Sequence, residues 1–233
     1  MTKTLIMATS YVATNDRREL VTIWAKLAEK LNPDLDLVLV DSASPINPQE
    51  FLTFWRDANP KRWCYRFPDN VGHRNITRVD GFGRAFCKGV ELAIEGGYDY
   101  LAHTDSDVLF AKPAAPFIEK LKASGVKVAC AFDPMYQFLE TAIMFASVPY
   151  LKEIGFVEKY DWSTYHETIP EIRFEEIMNG ELFTIPLRGL RNDDNRLSWK
   201  NFDQSFHYGM DYLTHCADVG LYKRFLKRNG IEL

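Results

Sequence analysis

From Tyr98 to Phe110 the sequence reads YDYLAHTDSDVLF, an apolar run up to Thr104 that then presents two carboxylates, Asp105 and Asp107, one residue apart. Like charges at a strand end repel each other unless a cation lies between them. Alternate residues of an extended segment point apart, but a turn can bring both carboxylates round one point. Hard oxygen ligands suit Mg²⁺ or Mn²⁺, and Mg²⁺ commonly takes one or two protein carboxylates and completes its shell with substrate phosphates. The tripeptide therefore reads as a metal–diphosphate clamp. The competing reading is a polar turn in which Asp105 caps the next segment. The position at the end of an apolar strand favours the clamp.

Such a pair needs a rigid frame, and the flanking sequence supplies one. Leu5 to Ala8 has the length of a strand, and Leu20, Ile23, Trp24, Leu27 and Leu31 follow at helical spacing. DLVLV (36–40) is a second strand that stops abruptly at DSASP, and WCYRF is a third. Pro48 opens a short helix between them. Phe82, Ala85, Phe86, Val90 and Ala93 share one helical face, and Gly96-Gly97 ends that helix. YLAHT, VKVACAF and TAIMFAS read as the fourth to sixth strands, with a helix from Pro116 to about Ser124 and a short one over PYLKEIG. Beyond Lys159 the periodicity weakens, and RNDDNRLSWKNFDQ reads as a loop. The alternation predicts an α/β domain with a mostly parallel sheet. In open sheets of this kind ligands bind beyond the carboxyl ends of the strands. Three strands leave polar residues there: Thr9 and Ser10, Asp41 to Ser44, and Asp105 to Asp107.

The bulk composition narrows the function classes. A chain of 233 residues that is 46% hydrophobic and 14% aromatic can bury a substantial core. A net charge of −4 with no long basic block disfavours broad binding to nucleic acid. Cys64, Cys87, Cys130 and Cys216 form no CxxC pair and read as isolated thiols in a reducing compartment. No apolar stretch approaches the roughly 18 residues of a membrane span, and MTKTLIMATS is too short in apolar residues for a signal peptide. The expectation is a cytoplasmic protein without a transmembrane segment. The sequence carries no signal for an oligomeric state.

The ordered motifs resemble those of GT-A glycosyltransferases, of the family-2-like, DxD-containing kind. In that family a strand ends in an aspartate followed by small polar residues, here VLVDSAS with Asp41 to Ser44. An N-x-G then precedes a helix with small residues at fixed spacing, here Asn70-Val71-Gly72 and then Gly83, Ala85, Gly89 and Ala93. The next strand ends in D-x-D, here Asp105-Ser106-Asp107. The resemblance covers about the first 155 residues, including MFASVPYLKEIGF. It implies one Rossmann-like, nucleotide-diphospho-sugar transferase domain over residues 1–233. Residues 1–110 would form the nucleotide-sugar half and 111–233 the acceptor and catalytic half.

The resemblance also implies roles. Asp41 would meet the base, with Thr9, Ser10 and Ser44 in the same pocket. Asp105 would face the ribose or sugar and the metal, Asp107 the metal, and Arg74 or Arg84 the diphosphate or donor sugar. Inverting members carry an E-D pair before a helix as general base, which deprotonates the acceptor hydroxyl as the anomeric centre becomes oxocarbenium-like. Glu167 stands there, ahead of Pro170, but Thr168 replaces the aspartate. Glu171, Glu175 and Glu176 are alternatives. A late histidine ligand falls on His207 in H-x-G, with His215 behind it. The glycine-rich acceptor loop is missing, and Glu140-Thr141 stands in its place. Trp162 and Tyr165 could stack on an acceptor sugar. The implied function is transfer of a sugar from a nucleoside-diphosphate sugar to a hydroxyl acceptor such as a glycan, using Mn²⁺ or Mg²⁺, with inversion.

Rival readings remain. Haloacid-dehalogenase-like phosphohydrolases place D-x-D at a strand end with a nucleophilic first Asp, and Asp193-Asp194 offers a later acidic pair. That motif normally ends the first strand, whereas here it ends the fourth, and Val108 stands near the usual Thr. A nucleotide-sugar-binding module would keep the first half of the site and lack the base. A nucleotidyltransferase would show a Gly-rich basic loop after the first strand, and TSYVATNDRR is not one.

Overall fold

The computed structural model describes residues 2–55, 61–72, 77–133, 138–178, 182–186, 212–213 and 219–233. In chain order the elements are β1 (Thr4–Ser10), α1 (Asn15–Leu31), β2 (Asp36–Asp41), α2 (Pro48–Phe51), β3 (Arg62–Arg66), α3 (Gly81–Glu95), β4 (Tyr100–Asp105), β5 (Leu109–Phe110) and α4 (Ala115–Ala123). There follow β6 (Val128–Asp133), β7 (Phe138–Ser147), α5 (Val148–Glu153), α6 (Phe156–Tyr160), α7 (Pro170–Met178), β8 (Leu182–Pro186), β9 (Tyr212–Leu213) and α8 (Val219–Arg228).

Strand alternation builds three layers. Ile6, Ala8, Leu37 and Leu39 point to one face, where Leu20, Trp24 and Leu27 of α1, Phe117 of α4 and Tyr222 of α8 cover them. Leu5, Met7, Val38 and Val40 point to the other, against Phe86 and Val90 of α3, Phe156 of α6 and Phe174 of α7. Both faces of the central strands are thus dry, which is why they read as continuous apolar runs.

The large sheet has the order β3-β2-β1-β4-β7-β6-β8. β3, β2, β1 and β4 are mutually parallel, while β7 runs antiparallel between β4 and β6. The antiparallel strand was not foreseen, since apolar periodicity carries no direction. The parallel register pairs Ser10 with Asp41, and Thr9 with Asp105. The three polar strand ends therefore meet along one edge. A second ribbon, β5 with β9, starts two residues after the D-x-D and pairs Leu109 with Leu213.

Candidate active site

Two hydrogen-bonded clusters lie side by side at the carboxyl ends of β1, β2 and β4. In the first, Thr9 donates its hydroxyl to Asp105 Oδ1 at 2.9 Å. Asp105 ends the strand, and Val108 N donates to its carbonyl at 3.0 Å to close a turn that carries Asp107. Arg17, in the first turn of α1, donates from Nη1 to Asp107 Oδ2 at 3.2 Å. Tyr222 of α8 donates its hydroxyl to the Asp107 carbonyl. The Asp107 side chain retains 14% exposure and Asp105 25%, so both carboxylates can be reached from solvent.

Helix α1 is held against this turn at both ends of its first half. Thr14 caps it by accepting from Arg17 N at 3.3 Å. Trp24 reaches across to donate its indole N–H to Thr104 Oγ1 at 2.9 Å, one residue before Asp105. The guanidinium on Asp107 is therefore fixed by a helix that packs on the same strand end.

The second cluster is closed. Asp41 is fully buried. Its Oδ1 accepts from the hydroxyls of Ser10 and Ser44, and its Oδ2 accepts from Ser44 N and Arg66 Nη1, both at 3.0 Å. Arg66 also donates to the Ser44 carbonyl at 3.0 Å. Between them Ala43 takes a left-handed conformation with φ of 54°, uncommon for a residue with a Cβ. Asp41 thus ties the loop after β2 into a fixed shape. A ligand base could touch its carboxylate only by displacing one of these partners.

Beneath Asp105 lies His103, fully buried between the ring edges of Phe82 and Phe86. Its Nδ1 faces the Thr141 carbonyl at 3.0 Å, and a carbonyl can only accept, so the proton is on Nδ1. Nε2 stands 3.7 Å from Asp105 Oδ1. Burial pushes the imidazole down to about 3, so it is neutral near pH 7 and the contact is not an ion pair.

Arg84 is held by Asp69 and two aromatic rings. It donates to the Asp69 carbonyl at 3.2 Å and to Asp69 Oδ1 at 3.0 Å, and its guanidinium lies 4.0 Å over Phe67 and 5.3 Å over Trp162. These contacts tie Arg84 to Asp69, Phe67 and Trp162. Arg74, His207, His215, Asp193 and Asp194 lie outside the described residues.

Glu167 is exposed, three residues before Pro170 opens α7. Its segment is fastened to the front of α3 by Asp80 N, which donates to the Trp162 carbonyl at 3.2 Å. Among the alternatives, Glu171 accepts from Thr141 Oγ1 at 3.5 Å, while Glu175 and Glu176 are exposed. Sequence reading missed Arg17, Arg66 and Tyr222. Their partners lie 90, 25 and 115 residues away, and no local pattern signals them.

No protein-family model and no curated protein matches the sequence. Solved structures do match in shape. A protein described as a nucleotide-diphospho-sugar transferase from Desulfovibrio desulfuricans G20 superposes with a TM-score of 0.53 at 12% identity, over 80% of each chain. An active-site mutant of LgtC gives 0.55 at 13% identity, over 97% of this chain and 95% of its own. The bifunctional glycosyltransferase WbbM gives 0.57 at 12% identity, over 85% of this chain and 42% of its own. Identities this low speak to architecture, and they agree with the strand order and the polar edge described above. The chain has the GT-A type of fold found in nucleotide-diphospho-sugar transferases.

Proposed function

We propose that the protein is a metal-dependent glycosyltransferase that passes a sugar from a nucleoside-diphosphate sugar to a hydroxyl acceptor. One observation carries the reading. Two reachable carboxylates, Asp105 and Asp107, stand at the carboxyl edge of the parallel strands with an arginine already paired to the second. The proteins of similar fold are described as a nucleotide-diphospho-sugar transferase and a bifunctional glycosyltransferase, which supports the same donor class.

The donor set fits a hard divalent cation. Among the described residues no group of three or more His, Cys, Asp or Glu could hold a metal ion. Two carboxylates completed by diphosphate oxygens are what Mg²⁺ or Mn²⁺ commonly accepts. Asp107 and Asp105 would hold it, with His207 as a proposed further ligand. When bound, the metal supplies charge neutralisation at the diphosphate.

The chain's own residues do the rest. Arg17 moves from Asp107 to the diphosphate oxygens and stabilises the charge that grows on the leaving group. Thr9 holds the Asp105 carboxylate in one rotamer. Ser10, Asp41, Ser44 and Arg66 fix the loop that walls the base pocket. Glu167 accepts the acceptor hydroxyl proton, which gives direct attack and inversion. Residues 1–110 then form the donor half and 111–233 the acceptor half of one domain.

The test is release of nucleoside diphosphate from a panel of nucleotide sugars with Mn²⁺. The Asp107→Ala variant should lower it by about a hundredfold or more, with an unchanged circular dichroism spectrum. Full activity in that variant would exclude the clamp.

A further inference from the structure

Away from the D-x-D, a small recess lies between the front of α3 and the segment before α7. Arg78, Asp80, Thr164, Tyr165, His166, Thr168 and Arg173 line it. Arg173 is 5% exposed, and its Nη2 has no hydrogen-bond partner among the described residues. The same holds for His166 Nε2. A buried guanidinium N–H without an acceptor is costly, and such groups are normally satisfied by protein, water or ligand.

The recess holds one carboxylate, and that carboxylate is already engaged. Asp80 Oδ1 accepts from Gly83 N at 2.9 Å and Oδ2 from the Tyr160 hydroxyl at 2.6 Å. It caps α3 and, among the described residues, forms no ion pair with either arginine. Arg173 lies 4.1 Å over the Tyr160 ring and Arg78 5.6 Å over the Tyr165 ring. These stacking contacts orient the planes of both guanidiniums without using their N–H groups. Arg78 also holds a left-handed φ of 61°, a conformation that bulky side chains avoid and that recurs where function imposes it. Arg78, Arg173 and the unpartnered His166 Nε2 thus line one recess.

We infer that this recess binds an anionic group, a carboxylate or a phosphate, carried by the acceptor. The inference rests on the glycosyltransferase reading for the word acceptor. His166 and Thr168 flank Glu167, so a sugar anchored here by its charge lies beside the proposed base. Bidentate pairing with a planar or tetrahedral oxyanion is the contact for which arginine is best suited. An acidic or phosphorylated sugar would be taken, and its neutral counterpart refused.

The test uses the full chain and titration calorimetry with glucuronate, glucose 6-phosphate and glucose, each without donor. Either charged probe should bind and glucose should not, and the stronger of the two names the source of the charge. Arg173→Gln and the exposed Arg78→Ala should each weaken the charged probe by about tenfold or more. If Arg173→Gln fails to fold, Arg78→Ala and the charge reversal Arg78→Asp decide the matter. Asp107→Ala should leave this binding unchanged, so loss of the donor site and loss of the recess read out separately. Equal binding of glucose, absence of binding by both charged probes, indifference to the arginine substitutions, or displacement of the probe by UDP with Mn²⁺ would each overturn the inference. The last outcome would assign the recess to the donor.

Discussion

At the scale of single residues, the ion pair between Arg17 and Asp107 decides most. A guanidinium 3.2 Å from a carboxylate occupies the side from which a cation would approach. Removing it has two opposite consequences. In Arg17→Ala the carboxylate is released, so Mn²⁺ alone should bind more tightly. The diphosphate loses a charge-assisted partner, so a nucleoside diphosphate should bind about tenfold more weakly. Isothermal titration of each ligand separates the two effects, and a change of both in one direction would contradict the assignment. His103 makes a second prediction, about stability. The unfolded imidazole titrates near 6.5 and the folded one at about 3, so the unfolded chain binds the extra proton between these values. The associated stability is fully present above the unfolded value and is lost as pH falls toward the folded one. Melting temperature should therefore drop between pH 7 and pH 4. The drop should be shallower in His103→Gln, and parallel slopes would contradict the burial argument.

At the scale of elements, close approach explains the glycines around α3. A Cβ on Gly81 would stand 2.3 Å from the Gly72 carbonyl oxygen, which is backbone and cannot swing aside. Gly72 itself has φ of 84°. The N-x-G turn thus sits directly on the first residue of the helix, and only two glycines permit it. Ala would ordinarily favour a helix by up to about 1 kcal/mol, but the clash costs about 1–3 kcal/mol. Gly81→Ala should therefore lower the melting temperature by several degrees, measured by calorimetry; a rise would refute the contact. Much of this level was legible beforehand. β1, β2 and β4 are buried on both faces, so each is a plain apolar run that ends where polar side chains begin. The helices carry apolar residues at turn spacing because one face meets the sheet. Strand direction was not legible, since β7 presents the same apolar run whichever way it points. Arg17 and Tyr222 were not legible either, because each meets Asp107 across the fold. Arg84, expected at the diphosphate or donor sugar, is held by Asp69, Phe67 and Trp162, none of which a local pattern signals.

At the scale of the whole molecule, the sheet order gathers three strand ends from residues 9, 41 and 105 along one edge. A second wall comes from α3 and the segment before α7. Asp105 and Asp107 stand at the strand ends, Arg78 and Arg173 in the recess. The first suits a metal and a diphosphate, the second an anion, and a sugar acceptor would bridge them. The measurement that tests the central claim most directly is thermal stability with UDP, GDP, TDP or CMP, each with Mn²⁺ and with EDTA. A ligand at a hundred times its dissociation constant adds about 2.7 kcal/mol, a rise of about 5–10 °C for a chain of this length. The account predicts such a rise with one nucleoside diphosphate, abolished by EDTA and absent in Asp107→Ala. No rise with any nucleotide, or a rise that EDTA leaves intact, would contradict it.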